Sequence, residues 1–176
     1  NIMRRSAKQL MQLFQGNKTS MPLIGNTTYD ELAIGDRATY TRTLTEEEIV
    51  LFASVTGDLN PVHLDSDYAD KTVFRERIGH GMWSGALISS AVTNILPGPG
   101  TIYLEQSLRF LLPIKISDSL VVTIEVEEKL ENGRVVLACV IENQQNEIVV
   151  DGKAKVIAPK NKIHMEQPEL PGVSVK

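Results

Sequence analysis

A chain of 176 residues with 42% hydrophobic and 23% charged residues can bury one proper core and is too short for two comfortable domains. The formal net charge of -4 gives no general pull toward nucleic acid, and no basic, aromatic-rich stretch supplies one locally. Cys139 is the single cysteine, which excludes an internal disulfide and a thiolate zinc cluster and suits a cytoplasmic or organelle-matrix setting.

Residues 1–29 hold Arg4, Arg5, Lys8 and Lys18 but no acidic residue, and Leu10, Met11, Leu13 and Phe14 can form one apolar helical face. We read 1–27 as an N-terminal extension whose composition also suits an organelle transit peptide. Residues 28–158 read as the folded domain, and 159–176 as a polar tail or linker carrying Pro168 and Pro171. Tyr29 to Ile34 forms a short lead-in to Gly35-Asp36. Tyr40 and the threonines at 39, 41 and 43 support a strand from Arg37 to Thr43. Then the period changes. Thr45-Glu46-Glu47-Glu48 has the spacing of a capping box, and Ile49, Phe52, Ala53 and Val55 recur at helical intervals up to Gly57.

Residues 57–80 read as loop-rich, with a helical turn near Ser66 to Asp70, and Pro61 prevents regular continuation. A second helix runs from His80-Gly81 to about Leu96, ended by Pro97-Gly98. Its residues are apolar or small on every side, so it should be surrounded by other structure. The stretch from Ile78 to Leu104 lacks Asp, Glu, Lys and Arg, but His80, its glycines and the Pro97-Gly98-Pro99-Gly100 break exclude a membrane span. Thr101–Leu112, Leu120–Leu130, Val135–Ile141 and Ile148–Ile157 read as strands, with Asn132-Gly133 a strong hairpin signal. In the first of them, strict alternation puts Ile102, Leu104, Leu108 and Phe110 on a buried face and Tyr103, Glu105, Ser107 and Arg109 on the other. A helix without a polar face followed by antiparallel strands implies an α+β arrangement, a sheet curled around that helix.

The segment richest in chemistry is Gly57-Asp58-Leu59-Asn60-Pro61-Val62-His63. Asn60-Pro61 forces a turn in place of helix or strand. Such a turn can aim Asp58 and His63 at one point and hold a water between them, one group accepting its proton while the other supplies a proton elsewhere on the substrate. The same Asp-x-Asn-Pro pattern equally suits plain capping of backbone amides. Ile78-Gly79-His80-Gly81-Met82 adds a second element. Glycine at the start of a buried helix lets a substrate carbonyl reach the free first-turn amides, where the helix dipole stabilises negative charge. One well-aimed donor of this kind contributes about 3–4 kcal/mol in the transition state. The alternative is that Gly79 and Gly81 only shape the chain entering the core.

Phe52 through His63, with Gly57, Asp58, Asn60, Pro61 and His63 in place, resembles the signature of MaoC-like (R)-specific enoyl-CoA hydratases. The resemblance continues through Ala69, Phe74, Ile78, His80-Gly81-Met82, the stretch from Leu96 to Leu104, and Gln106-Ser107-Leu108-Arg109-Phe110, covering residues 28–158. It implies a hot-dog fold that forms a homodimer or higher homo-oligomer. The implied reaction is addition of water to trans-2-enoyl-CoA to give (R)-3-hydroxyacyl-CoA, or its reverse. Asp58 and His63 are then the catalytic pair, the Gly81 amide contacts the thioester oxygen, and Asn60 orients the pair. Ser89 falls near the site, either to hydrogen-bond Asp58 or its loop or as a small residue for close packing. No cofactor is implied, because coenzyme A, or acyl carrier protein in its place, arrives as part of the substrate. The stretch from Asn26 onward looks especially like the hydratase domain fused ahead of phosphate acetyl- or butyryltransferase domains in some bacterial bifunctional proteins.

The remaining candidates read more plainly. His80, just before the second helix, suits a structural hydrogen-bonding or capping role, and His164 lies in the polar tail. Three scattered histidines offer no paired-ligand spacing, so no metal is expected. Cys139 reads as a packing residue. Arg109 and Lys115 are candidates for the coenzyme A phosphates, with strand-edge solvation as the plainer reading. Two other functions compete with the hydratase: a hot-dog thioesterase, and a non-catalytic acyl-thioester-binding or oligomerisation domain.

Overall fold

In a computed structural model that describes residues 22–173 and residue 175, local signals set most elements. Strand β1 (Leu23–Gly25) and strand β2 (Arg37–Thr43) precede helix α1 (Glu46–Thr56). At the start of α1 the Thr45 hydroxyl accepts from the Glu48 amide at 3.2 Å, and the Glu48 carboxylate accepts from the Thr45 amide at 3.1 Å. The capping box is closed, as the spacing predicts. The helix ends at Gly57, which turns left-handed at φ 75° and donates its amide to the Ala53 carbonyl. A Cβ there would meet nothing within 4 Å, so Gly57→Ala costs backbone strain alone. The expected loss is about 1–2 kcal/mol, read as a lower urea midpoint at unchanged slope.

Two short helices follow, α2 (Pro61–Leu64) and α3 (Ser66–Ala69). The first corrects the expectation that Pro61 forbids helix: it occupies the first turn, where a missing N–H costs nothing, and the Asn60 side chain caps it by accepting from the Val62 amide. Helix α4 (Gly81–Asn94) then leads into β3 (Ile102–Phe110), β4 (Ser119–Lys129), β5 (Arg134–Glu142), β6 (Ile148–Ile157) and β7 (His164–Glu166). Between β4 and β5, Asn132 and Gly133 both take positive φ, 60° and 74°, the pair a tight hairpin turn requires.

Five strands form an antiparallel sheet in the order β2-β4-β5-β6-β3. In the chain, α4 lies between β2 and β3, the two edges of that sheet, so the helix must pass across the sheet's face. Trp83, Leu87, Ile88, Ala91 and Val92 of α4 share one core with Leu120, Val122, Ile124 and Val126 of β4 and with Val135, Leu137, Cys139 and Ile141 of β5. Each Leu, Ile or Val side chain among them contributes about 1.5–3 kcal/mol by leaving water. The α+β arrangement of a sheet wrapped about one long helix is the hot-dog arrangement expected above. Among the described residues, no helix is long and apolar enough to cross a membrane.

Three expectations are corrected. The long helix is not surrounded within the single chain: Gly81, Met82 and Ala86 lie exposed along one side. In β3, Ile102 and Leu104 are exposed, because a bulge between Tyr103 and Glu105 shifts the alternation by one residue, and Phe110 is also exposed, at the strand's end beside the start of α4. Tyr103 therefore packs against the core alongside Leu108, opposite to the uninterrupted pattern. The boundaries of extension and tail also shift. Strand β7 of the tail pairs with β1, and buried Asn26 donates to the Pro99 and Asn161 carbonyls while accepting from the Ile163 amide. Residues 22–27 thus belong with the fold, whereas the helical face read at Leu10 to Phe14 lies outside the described residues.

Candidate active site

The loop after α1 is built from short-range bonds. The Asp58 amide donates to the Thr56 hydroxyl, and the Asp58 carboxylate accepts from the Asn60 amide, each at 3.3 Å. This turn leaves Asp58 exposed while α2 carries His63 inward to 7% exposure. The His63 ring lies 2.8 Å from the Ile78 carbonyl through Nδ1. A carbonyl only accepts, so in the neutral ring it is Nδ1 that carries the proton and Nε2 that keeps its lone pair. A carboxylate oxygen of Asp58 and ring nitrogens of His63 and His80 all lie within 4.8 Å of one another.

His80, 2% exposed, stacks on His63 with ring centroids 3.9 Å apart and planes inclined by 30°. Its Nε2–H donates to the Asp58 carbonyl at 3.1 Å, and its buried Nδ1 has no hydrogen-bond partner. The two rings are therefore not scattered, and the expectation of three isolated histidines is corrected: α2 and the entry to α4 bring two of them face to face. The donor types would suit a borderline divalent cation. Each ring already spends one nitrogen on a main-chain carbonyl, which leaves His63 Nε2 and His80 Nδ1.

Burial pushes His80 below the ordinary histidine range, and the neighbouring His63 adds to this, against the Asp58 contacts that raise it. The folded protein thus resists a proton that the unfolded chain takes up near pH 6.5. The stability this group contributes is fully present above that pH and is lost as the pH falls below it. Denaturant midpoints should therefore drop between about pH 7 and about pH 5, and drop less in His80→Gln.

A cleft of about 280 Å³ opens beside this cluster, with His63, Gly79 and Gly81 on one wall and Phe74, Phe110 and Ile114 among its apolar residues. Asp58 stands exposed outside that wall. Gly81 is the first residue of α4, so its amide has no acceptor within the helix, and His80 gives no side-chain cap there. A Cβ at Gly81 would come within 3.2 Å of the Phe110 ring, and one at Gly79 within 2.7 Å of Leu44. Both glycines let the cleft wall close on the helix start. A larger depression, about 610 Å³, is lined by Glu105, Glu131, Arg134 and Lys155, with Lys155 paired to Glu105 at 3.5 Å and no histidine in its lining.

Residues 33–147 match the MaoC-like domain family. The chain belongs to that family. It is 37% identical over 131 residues to an (R)-specific enoyl-CoA hydratase of Rhodospirillum rubrum, spanning 74% of this chain and 91% of the relative. It is 38% identical over 133 residues to a 3-hydroxybutyryl-CoA dehydratase of Methylorubrum extorquens, spanning 75% and 84%. Among solved structures, the unliganded (R)-hydratase PhaJ1 of Pseudomonas aeruginosa superposes with a TM-score of 0.85 at 51% identity, covering 88% of this chain and all of that one.

Within this MaoC-like chain, His63 and Gly81 line the cleft, Asp58 stands outside it within 4.8 Å of the His63 ring, and Asn60 reaches Asp58 through its amide while its side chain caps α2. Ser89 lies half-buried two turns further along α4, and no side-chain hydrogen bond joins it to Asp58 among the described residues. Arg109 and Lys115 are engaged by Asp151 and Glu76. Cys139 is fully buried, its thiol pushed up to about 12 by desolvation, which leaves it a protonated packing group. The residue that sequence reasoning undervalued is His80. Its signal was present in the same Gly79-His80-Gly81 segment, but its contacts lie 17 and 22 residues away, at His63 and Asp58.

Proposed function

We propose that the chain is a hydro-lyase that adds water to a trans-2-enoyl-CoA to give the (R)-3-hydroxyacyl-CoA, and runs the reverse dehydration. The carrying observation is the cluster itself: a carboxylate and an imidazole whose free nitrogen has its lone pair available, beside the uncapped start of a helix. A water held there donates one hydrogen to each group. As its oxygen bonds the β carbon, one proton passes to the pair and the α carbon takes a proton back from it, so no net proton is gained or lost. Negative charge on the thioester oxygen meets the Gly81 amide, where the helix dipole and a free N–H favour it. The apolar wall of Phe74, Phe110 and Ile114 receives the acyl chain.

A thioesterase would use the same fold but release free thiol, and a non-catalytic binding domain would turn over nothing. Loss of enoyl absorbance with crotonyl-CoA, without thiol release, is the expected result. No turnover above background on coenzyme A or acyl-carrier-protein thioesters of graded length sinks the reading. The exposed side of α4 and the free edge of β3 support a homodimer, checked by sedimentation at micromolar concentration. Cys139 as a lone free thiol supports a cytoplasmic setting.

A further inference from the structure

We propose that His80 is a positioning residue that holds both members of the pair, Asp58 through its main chain and His63 through its ring face. This rests on the hydratase reading above. Among the described residues, the other hydrogen bonds made by Asp58 are local, to Thr56 and Asn60, so the bond from His80 Nε2–H is what ties the loop to the core. His63 is held at one edge by the Ile78 carbonyl, and the His80 ring closes one of its faces. His80 is backed in turn by the Phe52 ring, tilted by 53° with centroids 5.1 Å apart, so it cannot swing away.

A side chain present only to fill this space would be apolar. His80 instead buries an Nδ1 with no partner, which carries a desolvation cost that volume alone does not explain. One ring supplies a planar face to one residue and a donor to another, and imidazole does both. Phenylalanine keeps the face and loses the donor; glutamine keeps a donor and loses the face.

The test compares crotonyl-CoA kinetics of the full chain with those of His80→Ala, His80→Phe, His80→Gln, His63→Asn and the combined His63→Asn/His80→Ala variant. Loss of both restraints should lower kcat about 10- to 100-fold while KM stays within about threefold. The Phe and Gln variants should fall between wild type and Ala, and adding His80→Ala to His63→Asn should cost less than about twofold more. A kcat for His80→Ala within about twofold of wild type, or a loss that adds in full on His63→Asn, overturns the proposal. Should the alanine variant fail to fold, His80→Phe and His80→Gln carry the comparison by the same criteria. Ring nitrogen spectra of His63 supply a readout independent of turnover. A single Nδ1–H tautomer is expected in wild type and a mixture in His80→Ala; unchanged spectra would count against positioning even if the protein hydrates nothing.

Discussion

Asp58→Asn and His63→Asn should each lower kcat for enoyl-thioester hydration by about 10²- to 10⁴-fold, the range contributed by a positioned acid or base. The two substitutions are chosen for what they keep. Asparagine at 58 retains an oxygen to accept from the Asn60 amide but loses the charge and the proton-accepting power. At 63, asparagine retains an N–H near the position of Nδ1, able to reach the Ile78 carbonyl, and removes Nε2. KM should move little, because neither group is an apolar wall of the cleft. The double variant should lose scarcely more than the worse single, since both groups handle one water. Initial rates with crotonyl-CoA, alongside circular dichroism and thermal unfolding, check this. Retention of more than about a tenth of wild-type kcat by Asp58→Asn would remove Asp58 from the chemistry.

Gly152→Ala should be the most destabilising single methyl in the sheet. An ideal Cβ there would lie 2.0 Å from the Ser107 carbonyl oxygen, 2.9 Å from its carbon and 3.2 Å from Leu108 Cα. All three are backbone atoms, so no rotamer change relieves the clash, and β3 must move off β6. The expected cost is about 3 kcal/mol or more, at the upper end for overpacking and a sizeable part of a total stability of about 5–15 kcal/mol. Because Phe110 pairs with Val150 on the same two strands and walls the cleft, KM for the enoyl thioester should rise too. Urea titration gives the comparison. A Gly152→Ala midpoint no lower than that of Gly57→Ala, where the added methyl meets nothing, would show that the strands are not locked at this distance.

The parts of the fold legible from the residues were those whose bonds span a few positions. Thr45 and Glu48 are three apart and close their capping box in the folded chain, Gly57 stops α1, and Asn132-Gly133 takes the turn conformation its residues favour. Asp58 and His63 are five apart across a proline turn, so their convergence was a local matter too. The Val-, Ile- and Leu-rich runs on either side of Asn132-Gly133 read as strands and form β4 and β5, both interior strands of the sheet with alternate residues buried.

Alternation misplaced β3, since a bulge is set by how an edge strand fits its neighbour and leaves no period in the chain. Likewise, His80 looked like an ordinary helix-entry residue until α2 and α4 were packed together. Its stack on His63, its bond to the Asp58 carbonyl and the pairing of β7 with β1 join residues 17, 22 and about 140 positions apart. Caps, turns and periodicity are energies of neighbouring residues and can be read in order along the chain. Which distant surfaces meet depends on closing large loops around one shared core, and for this protein that closure selected the ring lying against the His63 imidazole.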